Sequence, residues 1–215
     1  MKKLLLSLAL VTGLSAIALA QEPVKFGVKA GLALPSQTTS AMGLSISTSS
    51  KTSFYVGAVA DISLSPIFSL QPGLTYVGKG GKVDFSEMAE EAGLEPGDFE
   101  ELKQTINFSY LELPVNLVAN FNAGTGKVFV GAGPYAAYAL SGNAKAGDLK
   151  EDAEFGSGED QVKRMDFGIN FLGGYQLSNG LNIHAGYGLG LSNLENNSNT
   201  ATKNRVFSFG LGFMF

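Results

Sequence analysis

The chain has 215 residues, 28 of them Gly, with no Cys or Trp, one His, 16% charged residues and a formal charge of −4. Low charge with 10% aromatics argues against disorder, and without Cys there is no disulfide scaffold, Cys-based zinc site, thiol nucleophile or lipoprotein anchor. A lone His excludes a His-rich metal centre and the acidic balance excludes a basic nucleic-acid binder, so no metal, cofactor or nucleic-acid partner is expected.

In chain order, the first segment reads as targeting. Lys2 and Lys3 precede an apolar run over 4–11, and Ala18-Leu19-Ala20 supplies a small-x-small cleavage pattern before Gln21. The prediction is a cleavable signal peptide over 1–20 and one domain over 21–215. Beyond Ala20 no apolar stretch approaches the roughly 18–20 residues of a membrane-spanning helix.

The rest alternates at period two. Eight runs are predicted as strands: 24–34, 53–62, 68–76, 111–121, 128–138, 166–176, 181–191 and 207–215. In the first, Val24, Phe26, Val28, Ala30 and Leu32 oppose Lys25, Gly27, Lys29 and Gly31; in the last, Phe207, Phe209, Leu211, Phe213 and Phe215 oppose Ser208, Gly210 and Gly212. Short links fall near Ser65-Pro66, at 122–126 and at Ser178-Asn179-Gly180, and long links at about 35–52, 80–105, 141–164 and 195–204. Alternating short and long links with both termini at the short-turn end is the connectivity of an outer-membrane barrel, whose short turns face the periplasm. Turned inward, some forty bulky apolar side chains overfill an eight-stranded lumen, so the apolar face must meet lipid while Gly, Ser, Asn and a few charges line the interior. The fold class predicted is all-β, an eight-stranded antiparallel up-and-down transmembrane β-barrel. Outward Phe68, Phe121, Tyr175 and Phe215 gather near the short-turn end, and Phe54, Tyr76, Tyr138, Phe167 and Phe207 near the other, as two interfacial girdles. Pro72, Pro114 and Pro134 fall inside strands, where each removes a ladder donor, and are read as bulges or as segments beyond a neighbour's reach.

These motifs carry a resemblance. "KFGVKAGL" at 25–32, "FSLQPGLTY" at 68–76, "YLELPVNL" at 110–117, "AGPYAAYALSG" at 132–142, "DFGINFLGGYQL" at 166–177 and "KNRVFSFGLGFMF" at 203–215 resemble the outer-membrane β-barrel domain family common in Bacteroidetes, the PorT-like group. The resemblance implies the barrel fold, the outer membrane and insertion by the barrel-assembly machinery, to which terminal Phe215 looks like the recognised aromatic. Some members of the family are linked to protein secretion.

The inward charges Lys25, Lys29, Asp61, Glu112 and Asp166 share their parity with Tyr55, Tyr135 and His184. Unpaired ions in a narrow lumen cost several kcal/mol each, so these five are expected to form a structural charge network. No Ser or Asp partner for His184 is evident at the outer rim, and no catalytic residues are assigned. Gly124-Thr125-Gly126-Lys127 lacks the earlier Gly and the following Ser/Thr of a phosphate loop and reads as a turn. Carboxylates concentrate in 80–105, where "SEMAEEAGL" and "DFEELKQ" suggest short helices, and in 141–164. The expected function is a non-enzymatic structural or interaction barrel anchoring acidic extracellular loops, with a transport or protein-secretion accessory barrel with a small gated lumen as the alternative. Expected partners are outer-membrane lipid and lipopolysaccharide and a surface or periplasmic protein, the barrel itself being a monomer. The acidic loops read first as a solvated face that keeps them apart, with divalent-cation bridging to lipopolysaccharide phosphates or recognition of a basic partner as the functional alternative.

Overall fold

The computed structural model describes residues 24–84, 103–147, 149–158, 160–196 and 200–215. The expected signal peptide, the first expected helix of the 80–105 loop, the second as far as Leu102 and most of that loop's carboxylates lie outside the described residues, while Lys103 and Gln104, the end of the second, are strand and not helix.

Among the described residues ten strands are present: β1 (Lys25–Ala41), β2 (Leu44–Ser47), β3 (Ser53–Ser63), β4 (Phe68–Asp84), β5 (Lys103–Ala123), β6 (Gly126–Ala146), β7 (Leu149–Asp152), β8 (Met165–Gln176), β9 (Leu181–Gly190) and β10 (Thr200–Met214). Eight of them, β1-β3-β4-β5-β6-β8-β9-β10, form an antiparallel up-and-down ring. The ring closes where β10 pairs with β1 from Gly27↔Met214 to Ala41↔Thr200. Closure satisfies the backbone without leaving a sheet edge, the condition for crossing a bilayer with strands. β2 and β7 are short strands that pair only with the far ends of β1 and β6. The eight alternating runs therefore correspond to the eight ring strands.

Side-chain exposure follows parity. Along β5, Leu111, Leu113, Val115 and Leu117 are exposed whereas Tyr110, Glu112, Pro114, Asn116 and Val118 are buried. An apolar outside around a polar inside inverts the soluble pattern. Glycines on the inner face make room for large rings: a Cβ at Gly31 or Gly210 would lie 2.8 or 2.5 Å from the Tyr55 hydroxyl, and one at Gly168 would lie 2.6 Å from the Tyr135 ring.

The far ends of the strands differ from the sequence expectation. The expected long links 35–52, 80–105 and 141–164 each begin as strand, since β1 runs to Ala41, β4 to Asp84 and β6 to Ala146. The 21-residue strands β5 and β6 reach about 70 Å along their axes, far more than the roughly 25 Å apolar band requires even when tilted. The outer part of β1 carries polar residues on both faces, in "SQTTSA", so no apolar alternation marks it. The three short turns are as expected, with left-handed Gly124 (φ 60°) and Gly180 (φ 91°) in two of them.

The prolines are not bulges. The β3–β4 ladder stops between Val59↔Gly73 and Ile62↔Leu70, beside Pro72, and resumes in the same register. The β4–β5 ladder is interrupted in the same way between Pro72↔Val115 and Thr75↔Glu112, beside Pro114, and the β5–β6 ladder between Pro114↔Tyr135 and Leu117↔Ala132, opposite Pro134. Each missing N–H breaks a short stretch of bonding while the chains stay level. The register shift is elsewhere, between Ser109 and Tyr110 of β5.

Candidate functional site

Among the described residues, the ion pairs inside the barrel centre on Lys79 of β4. Thr75, Val77 and Lys79 continue the inward parity of Ser69, Gln71 and Gly73 beyond the run ending at Tyr76. The Lys79 ammonium lies 2.9 Å from Glu112 Oε2 of β5 and 3.1 Å from Asp166 Oδ2 of β8. It also sits over the Tyr135 ring at 4.2 Å and the Tyr110 ring at 5.1 Å, favourable positions for a cation against an aromatic face. Lys79 is 2% exposed and Asp166 is fully buried.

The carboxylates are further tied in. Asp166 accepts from Ser192 Oγ at 2.9 Å, Asn204 Nδ2 at 3.0 Å and the Tyr135 hydroxyl at 3.4 Å. Asn204 in turn accepts from Gln37 Nε2 at 3.1 Å, and Asn170 Nδ2 donates to Glu112 Oε1 at 2.9 Å. These bonds connect β1, β4, β5, β6, β8 and β10 across the lumen. Two carboxylates and one ammonium leave one net negative charge, spread over many donors in the way a buried ion requires.

Of the five lumen charges expected from sequence, Glu112 and Asp166 are thus brought together, by a lysine outside that set. Lys29 faces the lumen in the register row Lys29–Gly57–Thr75–Glu112 without joining either of these ion pairs. Asp61 is buried and accepts from Gln71 Nε2 at 2.9 Å, while Lys25, opposite it in register, is exposed at the short-turn rim. His184 is held at both ring nitrogens: Nδ1 lies 2.8 Å from Asn182 Oδ1, and Nε2 lies 2.6 Å from the Tyr55 hydroxyl. Because Asn182 Oδ1 can only accept, Nδ1 carries the proton and Nε2 accepts from Tyr55. The imidazole is a link between strands, with no Ser or Asp among its hydrogen-bond partners in the described residues.

Between this network and the short-turn end lies a cavity of about 140 Å³, lined among others by Lys29, Thr75, Asn116, Phe129 and Gln176. Toward the other end, residues 153–158 and 160–164 are tied into the structure by side-chain contacts. Phe155 stacks edge-on against Phe108 at 6.1 Å and under the Arg164 guanidinium at 4.6 Å, and Asn196 Nδ2 donates to the carbonyls of Gly156, Gly158 and Gln161. The acidic side chains described here, Glu151, Asp152, Glu154 and Asp160, are exposed.

Comparison with known proteins completes the picture. A family model described as outer membrane protein beta-barrel domain matches residues 19–196. No curated protein matches the chain. Among solved structures, Neisserial surface protein A is 14% identical with a TM-score of 0.46, over 90% of this chain and all of that one. The attachment invasion locus protein Ail of Yersinia pestis is 13% identical with a TM-score of 0.45, at the same coverage. The N-terminal barrel domain of Pseudomonas aeruginosa OprF is 10% identical with a TM-score of 0.38, over 88% of this chain and 97% of that one.

Proposed function

The chain belongs to the outer membrane protein beta-barrel domain family, and from that premise we propose that it is a plugged, non-enzymatic barrel whose work is structural and adhesive. The observation that carries this reading is the Lys79–Glu112–Asp166 network, which packs the lumen with side chains at 0–8% exposure at the level of Tyr110 and Asn204. An eight-stranded barrel so filled leaves no aqueous channel. In the usual orientation of such barrels the short turns face the periplasm. The long ends of β4, β5 and β6 then stand outside the cell as a rigid pedestal for the acidic segments, which would meet lipopolysaccharide through divalent cations or a surface protein. The resemblance of the motifs to the PorT-like group supports a place among exported barrels of this kind.

The test is solute uptake into proteoliposomes containing the full chain. A plugged barrel admits neither arabinose nor glycine above the rate of empty liposomes, and swelling in either solute favours the transport or secretion-accessory alternative.

A further inference from the structure

Within the lumen, the polar groups divide into those already matched and those that are not. Both Glu112 oxygens are taken, by Lys79 and Asn170, and Asp61 accepts from Gln71. Both His184 nitrogens are engaged. Among the described residues three lining groups bear on what this space can hold. Lys29 forms no ion pair or hydrogen bond at contact distance, although the Glu112 carboxylate acts on it through space. The hydroxyl of Thr75 and the Oδ1 of Asn116, on side chains 4% and 6% exposed, make no hydrogen bond. All three face the same cavity of about 140 Å³.

The backbone around Lys29 keeps its ammonium open to that space. Its register neighbours are Gly57 on β3 and Gly212 on β10, so no side chain flanks it within its row. Beyond Gly57 the row continues to Thr75, placing the hydroxyl on the same level as the cation. Val59, Val77 and Phe129 supply apolar wall. The Lys79 network bounds one side, and the lining continues to Asn120, Gln176 and Met214 at the short-turn rim.

We propose that this cavity is a binding site for a small monocarboxylate with a short apolar body, its carboxylate held by Lys29 and its body against Val59, Val77 and Phe129. A cation with no partner in direct contact selects a single negative charge, because an ammonium–carboxylate pair forms short, charge-assisted hydrogen bonds. Thr75 can donate to the second carboxylate oxygen. Size sets the rest: a cavity of roughly 150 Å³ takes benzene, so this one suits a molecule of about seven heavy atoms. A longer acyl chain overfills it. Entry is from the short-turn mouth, and the site stands whether or not the barrel conducts.

The test uses the full chain folded in detergent micelles, with 5-fluoropentanoate as the probe followed by 19F NMR. The expected result is a saturable shift in the millimolar range proper to so small a ligand, weakened about tenfold or more in Lys29→Met. The neutral probe 5-fluoropentanamide, on the wild-type protein, should also bind about tenfold more weakly, a comparison that does not depend on any variant folding. Lys29→Met should keep its heat-modifiable gel migration, since it breaks no ion pair or hydrogen bond in direct contact. Absence of saturation by the carboxylate on folded wild-type protein overturns the proposal. So does equal affinity for carboxylate and amide, or equal affinity of wild type and Lys29→Met.

Discussion

Replacing Lys79 with Met removes the one cation shared by two buried carboxylates while keeping most of the side chain's length. In the wild type the ammonium is 2.9 Å from Glu112 and 3.1 Å from Asp166. After the change both carboxylates remain in the lumen with their other donors, Asn170 for Glu112 and Ser192, Asn204 and Tyr135 for Asp166. Breaking a buried ion pair by removing one partner costs about 3–5 kcal/mol, and two orphaned carboxylates place Lys79→Met toward the upper part of that range. The triple variant Lys79→Met, Glu112→Gln, Asp166→Asn leaves no orphaned charge and should recover most of the loss, because exchanging a whole buried ionic cluster for neutral groups is often close to neutral. The chain has no Trp, so urea unfolding is best followed by far-UV circular dichroism and heat-modifiable gel migration. The reasoning fails if Lys79→Met lies within about 1 kcal/mol of wild type, or if the triple variant is less stable than the single one.

Asp166→Asn should destabilise more than Glu112→Gln, since Asp166 is fully buried and accepts from three neutral donors besides Lys79 whereas Glu112 has Asn170 alone; the same unfolding measurements rank them, and the reverse order contradicts the assignment. Gly210→Ala places a Cβ 2.5 Å from the Tyr55 hydroxyl and 2.2 Å from the Ala30 carbonyl oxygen, so it should cost about 1–3 kcal/mol and move the His184 ring resonances as the Tyr55 bond breaks. Unmoved His184 signals would mean that Tyr55 is not held there. Pro114→Ala restores a donor at the interruption of the β4–β5 ladder; a slowly exchanging amide at 114 and a gain near 1 kcal/mol are expected, and fast exchange would show that the strands part there for another reason.

The transmembrane half of this fold was legible because lipid imposes a strict pattern. Leu111, Leu113, Val115 and Leu117 had to alternate with inward groups, and a single charge among them would have been costly. The outer half was not legible, since "SQTTSA" in β1 and "GKGGKVD" in β4 are held by ladder hydrogen bonds in water, where neither face has to be apolar. Lys79 was lost for that reason: the run was ended at Tyr76, although Thr75 and Val77 already carried the inward parity to it. Glu112 and Asp166 could be named from parity, but which cation reaches them depends on diagonal side-chain contacts across the lumen that alternation does not encode. Register also decided the prolines, whose effect is a local interruption at constant pairing.

The central claim, that side chains around Lys79 close the lumen, is tested most directly by conductance of the full chain in a planar lipid bilayer. The account predicts no steady current above that of the bare membrane once insertion is verified. Reproducible unitary steps with a linear current–voltage relation would contradict it.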